Sequence, residues 1–142
     1  MNANQIIIEF VKEYMVTEIT QGIKVSVETE YQKQYSSPRQ YHYVFTYKVI
    51  IENQSESTVQ LRRRHWFIKD AGYTDREVEG VGVIGVQPVL EPGEFHKYVS
   101  GCNLKSGIGK MYGTFEIERV IDGKIFKVAI PEFVMILPER LN

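Results

Sequence analysis

The chain has 142 residues, a net charge of −1 and 43% apolar residues, which suffices for one domain with its own core. The balanced charge argues against a general nucleic-acid binder, and the composition excludes a disordered or coiled-coil protein. The single cysteine, Cys102, cannot form an internal disulfide or a thiolate zinc site, so we expect a reducing, cytoplasmic location. No apolar run is long enough to span a membrane, and the N-terminus lacks the basic start of a secretory signal.

The first fifteen residues give an ambiguous signal. Ile7, Phe10 and Tyr14 fall at helical spacing, but β-branched neighbours weaken a helix, so an edge strand or a frayed end remains open. We therefore expect residues 1–15 to be an N-terminal extension of unknown structure, followed by a single domain over residues 16–142.

Strand patterns dominate the rest of the chain, because apolar and polar residues alternate with a period of two. The alternation is clear over residues 23–28, 43–51, 59–68, 111–117 and 126–130.

Turn signals separate these segments. Asp122-Gly123 predicts a two-residue type I′ hairpin turn with positive φ at both residues, and Pro92-Gly93 predicts a type II turn. Short antiparallel strands joined in this way predict an all-β sandwich or barrel.

Glycine is concentrated in one part of the sequence, where eight of the eleven glycines lie between Gly80 and Gly113. Residues 80–85 match the G-x-G-x-x-G pattern, but a dinucleotide site needs a helix directly after it. Pro88 and Pro92 prevent such a helix. Turn or bulge glycines are the first interpretation, and anion capture by backbone N–H groups is the alternative.

A basic and aromatic run, Arg62-Arg63-Arg64-His65-Trp66, lies in the predicted strand 59–68. Simple alternation places Arg62 and Arg64 on the face of Trp66, which gives two faces of mixed polarity and indicates either a β-bulge or a strand that leaves the core midway. The arginines either form a phosphate or carboxylate clamp or pair with acidic residues of a neighbouring strand.

Other reactive residues give no catalytic pattern. Asp75, Glu77 and Glu79 alternate on one strand and are expected to form a solvated face rather than a metal site. The three histidines, His42, His65 and His96, lack metal-ligand spacing, and Cys102 is expected to be a small core residue. We therefore predict no metal, no cofactor and no enzymatic activity.

These residues taken together resemble the ApaG family. The matching elements are Arg63–Trp66 with Ile68 and Asp70, the segment Gly80–Gly93, Tyr98 with Ser100 and Gly101, the segment Gly109–Gly113, and Asp122-Gly123 with Phe126, Ile130-Pro131 and Phe133. One departure is His96, which stands where the family has an aromatic residue. It indicates either a one-residue shift of that strand or a polar group facing the core.

The resemblance implies a fibronectin type III-like or immunoglobulin-like sandwich of two antiparallel sheets. It also implies a small cytoplasmic protein that is linked to cobalt resistance and magnesium efflux and that acts by binding other proteins. The family's G-x-G-x-x-G motif has in addition prompted a proposal of pyrophosphate or nucleotide binding.

We therefore expect a binding module with a protein partner, and as the alternative a binder of pyrophosphate-containing nucleotides or other small anions. A membrane or nucleic-acid partner is not expected, and edge strands make a homodimer plausible. The candidate binding residues are Arg62, Arg63, Arg64, His65, Trp66, Gly80, Gly82, Gly85 and Gln87.

Overall fold

The structure is a computed structural model that describes residue 2 and residues 15–141, and nine strands in that range form two antiparallel sheets. The first sheet has the order β1-β2-β3-β7, and the second has the order β5-β4-β8-β9, with β6 paired to β4. The strands are β1 Val16–Thr20, β2 Ile23–Tyr31, β3 Tyr43–Asn53, β4 Val59–Asp70, β5 Arg76–Val81, β6 Val89–Leu90, β7 Phe95–Leu104, β8 Ile108–Arg119 and β9 Lys124–Ile136. The predicted all-β sandwich is confirmed. The expectations for residues 3–14 lie outside the described part of the chain.

The core lies between the two sheets and follows the predicted alternation. The inward residues of β2, β3 and β8 are almost fully buried, among them Val25, Val49 and Phe115. Trp66 of β4 is 2% exposed and lies 5.3 Å from Tyr47 of the other sheet, measured between ring centroids. Aromatic packing across the two layers therefore fixes how the sheets face each other.

The hairpin at Asp122-Gly123 forms, but its turn type differs from the prediction. Only Gly123 has positive φ, and its N–H donates to the Arg119 carbonyl at 2.8 Å, which closes a four-residue loop. The Pro92-Gly93 turn forms as predicted, because Gly93 has φ +87° and Glu94 N–H donates to Glu91 O.

Two tight turns have positive φ at both central residues; the first was not predicted, and the second lies within residues 80–85, where turn or bulge glycines were expected. Gln21-Gly22 joins β1 to β2, and Ile84-Gly85 closes a small hairpin after β5. The strand β1 was not predicted either, because its inward residues Val16, Glu18 and Thr20 do not form an apolar alternation.

The two sides of the sandwich, where the outer strands of the two sheets face each other, differ from one another. On one side β1 lies beside β9, and Ala129 N–H donates to the Thr20 hydroxyl at 3.1 Å. On the other side β5 and β7 are the outer strands of their sheets, so a cleft lies between them. We call this side the open edge.

Candidate functional site

The predicted β-bulge lies at Arg62, where the pairing of β4 with β8 shifts between Leu61 and Arg63. Because of this extra residue, Arg62 and Arg64 do not share a face as simple alternation predicts. Arg62 Nη2 pairs with Glu118 Oε2 at 2.9 Å, whereas Arg64 lines the cleft at the open edge. The bulge thus separates the three arginines into different environments.

His65 and the acidic residues of β5 meet on the outer face of the second sheet. His65 Nε2 lies 2.7 Å from Glu77 Oε1, and its Nδ1 lies 3.2 Å from Glu79 Oε1. Asp75 pairs with Lys69 at 2.6 Å. The acidic run is therefore exposed, as expected, but its members pair with neighbouring side chains.

The G-x-G-x-x-G segment is a β-hairpin, which confirms that no helix follows it. Val83 and Val86 exchange backbone hydrogen bonds of 2.8 and 3.1 Å around Ile84-Gly85. Gly82 N–H donates to Arg62 O, and a Cβ at Gly82 would collide with the Val86 carbonyl. The N–H groups of Gly82 and Val83 are therefore used inside the protein, which weakens the case for an anion held by this backbone.

The arginine strand and the glycine segment form one unit. Arg64 Nη1 donates to the carbonyls of Val81 and Gly82 at 3.1 and 2.9 Å. Its guanidinium lies over Gly80, where a Cβ would come within 2.8 Å of Nη1. Gln87 Nε2 donates to Arg62 O at 3.1 Å. Five of the predicted site residues are thus in contact, namely Arg62, Arg64, Gly80, Gly82 and Gln87, whereas His65 lies on the outer face of the sheet and Trp66 is buried in the core.

The hairpin presents apolar side chains to solvent. Val83 is fully buried and anchors the hairpin, while Val81, Ile84, Val86 and Val89 are 46–60% exposed. Arg63 is exposed beside Val81, and it pairs with no carboxylate among the residues the structure describes. We call Arg63, Val81, Ile84, Val86 and Val89 the hairpin surface.

The cleft at the open edge contains residues that the sequence did not single out. Its volume is about 230 Å³, and Arg64 and Arg76 both line it. Arg76 of β5 reaches across to β7, where it donates to the Asn103 carbonyl and lies 3.7 Å from Cys102 Sγ. Alternation in β5 places Arg76 on the inward face with Val78 and Gly80. This pattern is present in the sequence and could have identified Arg76 as a residue that faces the cleft. The remaining lining residues are Tyr47, Trp66, Ile68, Ser100, Gly101 and Met111.

Burial changes the pKa of weakly acidic side chains in and beside the cleft. It raises the pKa of Tyr98, Tyr47 and the Cys102 thiol, although a hydrogen bond with Ser100 partly offsets the effect on the Tyr47 pKa. Cys102 is a buried residue, as expected.

His96 faces inward beside Tyr98 and opposite Ile51. Strand β7 is therefore not shifted by one residue, and a polar group does face the core.

Over the described residues, no three side chains of His, Cys, Asp or Glu come together in a way that could hold a metal ion. Nor does any helix in that range have the length and apolar character needed to cross a membrane.

Comparison with known proteins identifies relatives over most of the chain. A family model described as ApaG domain matches residues 33–119. A protein named ApaG from Brucella anthropi is 44% identical over 126 residues, which is 89% of this chain and 96% of the relative. One of the same name from Paramagnetospirillum magneticum is 45% identical over 131 residues, which is 90% of this chain and 100% of the relative.

A solved structure gives the same result for the fold. The crystal structure of a putative ApaA protein from Bordetella pertussis has a TM-score of 0.79 and 42% identity. The match covers 82% of this chain and 94% of that one. The resemblance inferred from the sequence motifs is therefore confirmed.

Proposed function

The chain belongs to the ApaG domain family, and on that footing we propose that it is a non-enzymatic binding module whose partner is another protein. The family description and the names of the relatives state no catalytic activity. The hairpin surface is the proposed contact region. A cytoplasmic location is part of the proposal, and any role in cobalt and magnesium homeostasis would be exerted through the partner.

The observation that carries this proposal is the combination of exposed apolar residues with an unpaired arginine on a rigid support. Exposed apolar side chains in one segment are typical of interaction sites, and arginine is enriched among residues that dominate binding energy. Val83 in the core and Arg64 on the carbonyls of Val81 and Gly82 hold the hairpin in place. A preorganised surface loses less conformational entropy on binding.

The same observation defines the chemistry of the partner. Val81, Ile84, Val86 and Val89 would contact an apolar segment, and Arg63 would pair with an acidic side chain next to it. We therefore expect a partner segment in which apolar residues are flanked by aspartate or glutamate.

The test is quantitative affinity capture with three forms of the protein. Ile84→Asp places a charge in the hairpin surface, and aspartate tolerates the positive φ of 44° at this position better than isoleucine does. Ile121→Asp is the matched control, because Ile121 is an exposed isoleucine in a different turn. We expect one or more proteins to be captured by the wild type and by Ile121→Asp but to be lost with Ile84→Asp.

The proposed surface would be wrong if all three forms captured the same proteins in equal amounts. Arg63→Glu provides a second test, since a reversed charge should repel an acidic segment while leaving the fold unchanged. Thermal unfolding midpoints of all forms show whether any loss of capture reflects unfolding instead.

A second candidate function is the binding of a small anion, such as a pyrophosphate-containing nucleotide. The observation that favours an anion is that Arg64 and Arg76 have no carboxylate partner among the described residues. A ligand at 100 times its Kd would raise the unfolding midpoint by about 5–10 °C. No shift with pyrophosphate or nucleotides would count against this candidate.

A further inference from the structure

We propose that the cleft between β5 and β7 binds a carboxylate group over an apolar wall, with the guanidinium at one end of the cleft, Arg64 or Arg76, as its charged partner. This inference rests on the proposed binding function, because it names the chemistry of a group that is bound at the same side of the molecule. The carboxylate could be carried by a side chain of the protein partner or by a free organic acid. The shared chemistry is a carboxylate attached to an apolar stem.

The shape of the cleft supports a ligand with an apolar part. Its volume of about 230 Å³ is several times the volume of about 30 Å³ that one water molecule occupies in the liquid. Trp66, Ile68, Val78 and Met111 provide apolar surface between the sheets. Arg76 and Gly80 lie four residues apart on β5, about 13 Å along the strand, so the two arginines enter from different ends.

The two guanidinium groups have spare hydrogen-bond donors. Each guanidinium carries five N–H donors. Arg64 donates through Nη1 to the carbonyls of Val81 and Gly82, and Arg76 donates through Nη2 to Asn103 O and Cys102 Sγ. Since no carboxylate in the described residues pairs with either, a ligand carboxylate would supply the missing counter-charge.

The neighbouring groups add donors without negative charge. Burial raises the pKa of Tyr47, which lines the cleft, and of Tyr98, which does not, and both hydroxyls are protonated at neutral pH. The Tyr98 hydroxyl is buried and has no hydrogen-bond partner in the described part of the chain. The nearby Asp70 carboxylate is occupied by Lys105 N–H at 2.7 Å and by the Ser106 hydroxyl at 2.7 Å. The lining of the cleft therefore contains two arginines and no carboxylate.

A carboxylate fits these groups better than a phosphate does. When one nitrogen of a guanidinium already donates hydrogen bonds within the protein, the N–H groups along another edge can still bind a planar, singly charged carboxylate. Phosphate sites usually add several backbone N–H donors. Here the N–H groups of Gly82 and Val83, next to Arg64, are bonded within the hairpin.

The experiment is an NMR titration that follows the indole N–H of Trp66, the single tryptophan of the chain. The probes are hexanoate, its neutral analogue hexanamide, and inorganic phosphate. We expect hexanoate to shift the Trp66 signal in a saturable manner, and hexanamide and phosphate to leave it unchanged at the same concentrations. At least one of the variants Arg76→Gln and Arg64→Gln should weaken hexanoate binding by about tenfold or more.

Arg39→Gln is the matched control, because Arg39 is an exposed arginine that does not line the cleft. It should bind hexanoate as the wild type does. Equal shifts with hexanamide, no shift with hexanoate, or unchanged affinity in both Arg64→Gln and Arg76→Gln would overturn the proposal. Thermal midpoints of each variant confirm that it is folded.

Two peptides distinguish the sources of the carboxylate. Acetyl-Leu-Glu-Leu-amide carries one carboxylate, and acetyl-Leu-Gln-Leu-amide carries none. Tighter binding of the glutamate peptide than of hexanoate would assign the site to a protein partner, and the reverse would assign it to a free acid. Both outcomes support the cleft.

The two proposals can fail separately. Ile84 does not line the cleft, so capture that depends on Ile84 without any hexanoate binding would overturn the carboxylate site alone. If hexanoate binds but the Ile84→Asp variant captures the same partners as the wild type, only the proposal for the hairpin surface is overturned.

Discussion

At the scale of single residues, glycines allow parts of this chain to approach each other closely. A Cβ at Gly113 of β8 would collide with the backbone carbonyl of His65 on β4. Gly113 also lies at the point where the pairing of β8 with β9 shifts register. Most of the glycine cluster is therefore explained by packing and turns within the chain, without a ligand.

Gly113→Ala should destabilise the protein by more than about 3 kcal/mol, because a backbone carbonyl cannot move aside as a flexible side chain can. Gly101→Ala is the control, since its Cβ would meet only Phe45 O at an ordinary 3.6 Å. That variant should stay within about 1 kcal/mol of the wild type. Urea unfolding measures both, and equal stabilities would contradict the close approach at Gly113.

Asp122 provides a prediction about pH at the same scale. Hydrogen bonds from Arg119 and from Lys124 N–H lower the pKa of the Asp122 carboxyl to about 2 from its ordinary 3.8. A lowered pKa means that the ionised carboxylate stabilises the fold above pH 3.8, and that this contribution is lost as the pH falls through 2. The effect is small, because the pair is exposed to solvent and is screened by salt.

The difference in unfolding free energy between the wild type and Asp122→Asn checks this prediction. It should favour the wild type at pH 6 and shrink toward zero near pH 2. A difference that does not change with pH would contradict the assigned pKa.

At the scale of elements, Asn53 connects the end of β3 to the loop that follows and to β6. It is fully buried, its Nδ2 donates to the carbonyls of Ser57 and Leu90, and its Oδ1 accepts from Ser55. Asn53→Ala should cost about 2–4 kcal/mol, because the partners of the amide are left unsatisfied. Gln54→Ala, at an exposed neighbour, should change stability by less than about 0.5 kcal/mol in the same urea experiment. Equal effects of the two substitutions would show that the Asn53 network contributes little.

The strands could be predicted from the sequence where one of their faces is apolar. The turns could be predicted only in part, because some were missed or were given the wrong length. Val25, Val49 and Phe115 alternate with polar residues because one face of each sheet is buried. The turn at Gln21-Gly22 was missed because glutamine rarely takes positive φ, here 49°. The Asp122-Gly123 turn was assigned two residues because the dipeptide does not reveal that Val120 and Ile121 also belong to the loop.

At the scale of the whole molecule, the cleft depends on contacts that sequence patterns do not contain. Arg64 and Arg76 come from neighbouring strands of one sheet, while Ser100 and Cys102 come from the other sheet. The run of three arginines was visible in the sequence, but the bulge at Arg62 decides which of them faces the cleft. Their roles therefore became clear only from the three-dimensional arrangement.

Hydrogen–deuterium exchange on the complex with a captured protein partner would locate the contact and show whether it lies on the hairpin surface. Our prediction is that the partner slows exchange in peptides covering residues 62–66 and 80–89, and that exchange in the β8–β9 turn around Ile121 is unchanged. Protection confined to other parts of the molecule, such as the outer face of β1 and β2, would contradict it.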